Sequence, residues 1–244
     1  MGDRAILHEM GMPPTTLHIS TQALKRLLVP IVLGLAVASF LAQLLKYPLD
    51  TPRGYGFVPL FDGDAESNLP TIFSSLMLLA CAALLYLRAA AARQAGERYA
   101  RHWMLLAAIF LLGAVDETVG LHERANEHIA AILGVSESTL PWVAPAVVLV
   151  LVLVVAYREF VRHLPEPVRQ RALLGGGLLV SGALGLELIE AASVAALDGE
   201  REQLADGLVS TVQELCEMLG VVYILEALVL QLAIGGHSIR LGFH

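Results

Sequence analysis

The sequence predicts an all-α, polytopic membrane protein with six transmembrane helices and both termini cytoplasmic. Three observations carry that expectation. The chain has 244 residues, of which 56% are hydrophobic and only 16% charged, well under the roughly 25% of a soluble domain. Mean hydropathy is +0.66. The apolar residues are gathered into runs of about 17–24, long enough to cross a hydrocarbon layer about 30 Å thick. The basic residues alternate from loop to loop: twelve of the 16 fall on one side of the six spans and four on the other.

Residues 1–24 are polar to mixed, with Pro13-Pro14 breaking any long helix, and are expected to form a cytoplasmic tail. The transmembrane domain covers 25–236, and 237–244 form a second cytoplasmic tail. Span one runs from Leu27 to Leu45 behind Lys25-Arg26. Ala36-Val37-Ala38 resembles a small-x-small cleavage site, but the apolar run continues past it, so an uncleaved first helix is expected. The loop 46–69 carries Pro48, Pro52, Gly54 and Gly56, and its acids Asp62, Asp64 and Glu66 read as loop charge. Asn68 and Pro70 open span two, which runs to about Leu87, with Pro early in the helix where its missing N–H costs nothing.

A basic segment, Arg88 to Arg101, precedes span three, Trp103 to about His122. A polar stretch follows, through His128 and a turn at Ser136-Glu137-Ser138, to Pro141. Span four, Trp142 to Tyr157, is almost purely Val, Leu and Ala and is expected to face lipid. Arg158, Arg162, Arg169 and Arg171 mark the next basic loop. Spans five and six cover Leu173 to about Ala195 and about Leu208 to Ile234. Small residues at Gly175-Gly176-Gly177 suit close helix approach.

Arg4, Lys25, Arg26, the two arginine-rich loops and Arg240 lie on one side, and Lys46, Arg53, Arg124 and Arg201 on the other. By the positive-inside rule the first side is cytoplasmic, which suits a multi-pass protein of a bacterial inner membrane. Trp142, Tyr47 and Tyr55 fall at the outer boundary and Trp103, Tyr86 and Tyr157 at the inner one. Cys81 and Cys216 sit near mid-span and read as small packing residues. No basic run suits nucleic acid.

The chemistry gathers in the outer half. Glu187 and Glu190 lie near the end of span five, Glu214 and Glu217 in the first half of span six, and Asp116 with Glu117 near the end of span three. Residues three apart share a helix face, so each Glu-x-x-Glu presents two carboxylates one way. Carboxylates inside a membrane are costly and usually functional. No Lys or Arg lies at that depth, and Glu226 stands alone near the inner boundary. Protonation, water in an outward cavity or a bound cation would each resolve the cost. Asp116, Glu187, Glu190, Glu214 and Glu217 are therefore candidate metal ligands, with His122 and Glu123 from the mouth. Glu66, Asn68, Glu117, Ser210 and Gln213 are candidates for the surrounding layer. An oxygen-rich set with added imidazole suits a divalent ion such as iron, zinc or manganese.

The stretch Phe61 to Ser75, followed by Val115-Asp116-Glu117 and Leu121-His122-Glu123, resembles a group of uncharacterised bacterial multi-pass membrane proteins; that resemblance implies no activity. The paired Glu-x-x-Glu segments look like those of membrane iron permeases, but Leu186 and Gln213 stand where those have Arg, and Leu188 and Leu215 where they have Gly. Glu66, Asn68 and Thr71 are similar to the opening motif of transmembrane zinc amide hydrolases, whose later His pair has no counterpart here. Three readings result: a protein binding a metal or other cation, with transport as one use; a metal-dependent enzyme acting on a lipid-like substrate; and an accessory or sensory protein whose acids are structural.

Overall fold

The computed structural model describes residues 20–62, 68–136, 140–189 and 200–234, all helices and their connections. Eight helices result: α1 (Thr21–Lys46), a short α2 (Phe57–Phe61), α3 (Leu69–Gln94), α4 (Ala100–Val119), α5 (Leu121–Leu133), α6 (Val143–His163), α7 (Glu166–Val180, continuing through a wider π-type segment Ser181–Leu186 to Ile189) and α8 (Glu200–Ile234). Six of them (α1, α3, α4, α6, α7 and α8) are long and apolar enough to cross a membrane. Residues 1–19 of the predicted first tail, all of the second, the loop acids Asp64 and Glu66, residues 137–139 of the expected turn, and Glu190 lie outside the described residues, while α1 begins at Thr21, within the expected tail 1–24.

The helices outrun the apolar runs that announced them. α3 continues from Leu87 to Gln94, α6 from Tyr157 to His163, and α7 begins at Glu166 rather than Leu173. The supposed basic loop around Arg158 to Arg171 is thus mostly helix, with Leu164-Pro165 as the connection. Ala, Arg and Gln are good helix formers in water, so hydropathy marks where the apolar layer ends and not where the helix does. Likewise, part of the polar stretch after span three folds as α5, which is amphipathic in sequence.

α8 is the centre of the packing. It contacts α1, α3 and α7, and Met218, Val221, Val222, Leu225 and Leu228 are buried along it. α4 packs on α3. α6 stands at the edge with Val148, Leu149, Leu151, Val152, Val154 and Val155 exposed, as its uniformly apolar sequence predicts for a lipid-facing helix.

The α7–α8 crossing is made by glycine. A Cβ on Gly175 would lie 2.6 Å from the carbonyl oxygen of Gly220, and one on Gly220 would lie 2.7 Å from that of Gly175. One turn-pair along α7, a Cβ on Gly182 would meet Glu217 Cγ at 2.6 Å. Only Gly175 of the triplet takes part, since Gly176 and Gly177 face open space.

One reading of the connection between α1 and α3 needs correction. Asp62 is not loose loop charge: it is 7% exposed, pairs with Lys46 Nζ at 2.7 Å and accepts from Gln43 Nε2 at 3.1 Å. Asn68 caps α3, its Oδ1 accepting from Thr71 N at 2.7 Å, while its Nδ2 donates to the Asp62 carbonyl at 2.7 Å. Both amide ends of Asn68 are thus committed to the fold. Asp62→Ala removes the acceptor shared by Lys46 and Gln43, and we expect a loss of about 2 kcal/mol, read as a lower thermal midpoint in detergent micelles. Glu226 is not alone either: it is 4% exposed and lies 3.7 Å from Arg171 Nε on α7. Cys81 and Cys216 are both free.

Candidate functional site

The site begins with the end of α4. Gly120 adopts a left-handed conformation (φ 57°, ψ 53°) and donates its N–H to the Asp116 carbonyl at 2.8 Å. Glycine bears that conformation without a Cβ penalty. The chain turns there and restarts as α5, which brings His122 back over Asp116. The His122 backbone N–H donates to Asp116 Oδ1 at 2.8 Å, and its ring Nδ1 lies 3.2 and 3.1 Å from the two carboxylate oxygens. A regular helix would have sent this ring to another side.

The first N–H groups of a helix have no internal acceptor and carry partial positive charge. Asp116 answers both at the start of α5, a role that explains this residue by the fold alone. It does not explain the carboxylates gathered behind it. Glu117 accepts from Ser74 on α3. Glu187 on α7 accepts from Trp142 Nε1 at 2.9 Å, and the Trp142 and His122 rings lie 5.3 Å apart. Glu217 on α8 accepts from Gln213, one turn earlier. Glu217 lies within electrostatic range of Glu117, Glu187 and His122, and Glu187 within range of His122, Glu123 and Asp116. Counting from Gly182, which faces Glu217, Glu217 sits about 7 Å deeper than Glu187.

The expectation that no positive group offsets these acids is corrected by His122. Its hydrogen bond to Asp116, together with the charges of Asp116, Glu187 and Glu123, lifts the imidazole to about 9, against a smaller opposing effect of burial. The contact with Asp116 thus favours the charged form of the ring.

The candidate residues divide accordingly. Asp116, Glu117, His122, Glu123, Glu187, Glu217 and Gln213 come together. Asn68 serves the α3 cap. Ser210 is half-buried on α8, seven residues before Glu217, and Glu214 has one carboxylate oxygen buried there; nothing in the geometry places either against the imidazole. Glu66 and Glu190 lie outside the described residues. Among the described residues no three His, Cys, Asp or Glu side chains are arranged to hold a metal ion as they stand. Trp142, expected only as an interfacial anchor, is a member of the site; its signal was an indole N–H that needs a partner when partly buried.

A family model described as "Domain of unknown function (DUF8692)" matches residues 27–232. No curated protein and no solved structure matches the chain.

Proposed function

We propose that this chain, which belongs to that domain-of-unknown-function family, is a membrane protein that binds a cation among Glu117, Glu187 and Glu217 and passes it along the bundle. One observation carries the reading: carboxylates from α4, α7 and α8 converge on a single imidazole at the end of the apolar helices away from the arginine-rich segments 88–101 and 158–171. A cation held among Glu117, Glu187 and Glu217 relieves the repulsion between these neighbouring acids, and the amide and indole donors of Gln213 and Trp142 hold the carboxylates in place for it.

Because three ligands do not meet at one point, the cation keeps part of its water shell. Ions of the magnesium and manganese type do this when held through one or two carboxylates. Asp116 and Glu123 shape the mouth, and Glu214, one turn before Glu217 on α8, extends the path.

The test uses the full chain in nanodiscs with Mn²⁺ as probe. Binding is expected to broaden the Mn²⁺ paramagnetic resonance and raise the thermal midpoint. Glu187→Gln and Glu217→Gln should each weaken it about tenfold, the size of one lost charge-assisted contact. Flux of Mn²⁺ into sealed vesicles then separates passage from static binding. If no divalent ion alters either signal and both glutamine variants melt at or above the parent temperature, the acids are structural and the proposal fails.

A further inference from the structure

We propose a second site at the arginine-bearing end of the bundle, one that takes a phosphate group. A cavity of about 320 Å³ lies there between the end of α3, the start of α4 and the α6–α7 junction. It shares no residue with the carboxylate cluster and does not depend on the cation reading.

Arg88 is the reason for assigning an anion. It lines the cavity yet is only 7% exposed. One η nitrogen donates to Glu97 Oε2 at 2.6 Å, and the guanidinium carbon lies 5.3 Å from the centre of the Trp103 ring. Its Nε and remaining Nη are buried with no acceptor among the described residues. Buried charged donors left unsatisfied cost more than neutral ones, and they are the groups an oxyanion would engage. Gln231, on α8, lines the same space and also holds a buried, unpartnered amide oxygen. Turning that amide would present its NH₂ to an anion.

Charge and the cavity's place at the end of the bundle favour phosphate. Arg98 lines the cavity beside Arg88, so Glu97 is outnumbered. Guanidinium groups match phosphate oxygens and remain charged at any working pH. Trp103 and Phe160 give the cavity apolar walls, which strengthen charge pairing by excluding water. If the six spans cross a bilayer, this end meets the headgroup layer, where a lipid phosphodiester and free phosphate offer the same chemistry. Glu97 is then a resident competitor, holding one Arg88 donor that an incoming phosphate would also use.

The experiment measures the thermal midpoint of the full chain in phosphatidylcholine nanodiscs, with inorganic phosphate titrated in, and in nanodiscs of equimolar phosphatidylcholine and phosphatidylglycerol. A rise with phosphate identifies the free ion, and a rise confined to the phosphatidylglycerol discs identifies a headgroup phosphate whose charge, unlike that of phosphatidylcholine, has no choline cation beside it. Arg88→Gln should weaken the effect about tenfold. Glu97→Gln should strengthen it severalfold, a gain that a purely structural Arg88–Glu97 pair would not give. An unmoved midpoint in the parent with both probes, or a Glu97→Gln chain that responds no better than the parent, overturns the proposal.

Discussion

Gly220→Leu is expected to separate α7 from α8 and produce the largest stability loss of any single change in the bundle. The first atom of the new side chain would lie 2.7 Å from the Gly175 carbonyl oxygen, 2.8 Å from Leu179 N and 3.2 Å from Leu179 Cα. All three are backbone atoms, so no rotamer change can relieve the clash and the helices must part. Overpacking a close contact costs about 1–3 kcal/mol, and a leucine exceeds the alanine case. Thermal unfolding in detergent should show the loss. Gly176→Ala and Gly177→Ala serve as controls on the same helix. Each meets nothing within 4 Å and replaces a poor helix former by the best, so each should be neutral or stabilising by up to about 1 kcal/mol.

Asp116→Asn is expected to release His122. In the parent the ring should titrate near 9 when followed by NMR, and in the variant it should fall toward its ordinary value of about 6.5, since Asp116 is the main cause of the elevation. The sign of the linked stability follows. A raised imidazole stabilises the fold fully below about 6.5, and that contribution disappears as pH climbs through 9. The parent's thermal midpoint should therefore decline across the alkaline window, and the variant's should be flatter there. The side chain of His122 is 38% exposed, so solvent screens part of the interaction and the slope will be shallow. A ring that titrates at its ordinary value in the parent would contradict the geometry around Gly120.

The sequence made the bundle legible because membrane helices write themselves in long apolar runs. Six such runs correspond to six helices, and Asn68 and Pro70 marked the start of α3 by cap chemistry alone. Helix ends were less legible, since the Ala-rich and basic extensions of α3 and α6 stay helical in water without contributing to hydropathy. At the site, the three-residue spacing pointed to Glu187 and Glu217, whose carboxylates do enter a common neighbourhood. Where the His122 ring would point was not legible, because its position depends on a single backbone conformation. Counting residues assumes a uniform helix, and Gly120 ends that uniformity four residues after Asp116. Gln43 and Lys46 were hidden for a different reason: their partner, Asp62, is nearly twenty positions away, and local pattern carries no information about such contacts. Arg88 read as a topology signal by its charge, and only burial distinguishes it from the other arginines of that end.

The wide segment Ser181–Leu186 sets the rotational phase of α7. One extra residue in a turn re-phases everything beyond it by about 100°. Gly175 upstream of it and Gly182 at its start lie flush against α8; beyond it, Glu187 points toward Trp142. A uniform α-helix could not keep both bearings, so the bulge lets one rod seat its glycines on a neighbour and still aim an acid into the cluster. Excising one residue from that segment should leave the glycine seam engaged while swinging Glu187 out of alignment, which makes it a cam between packing and chemistry.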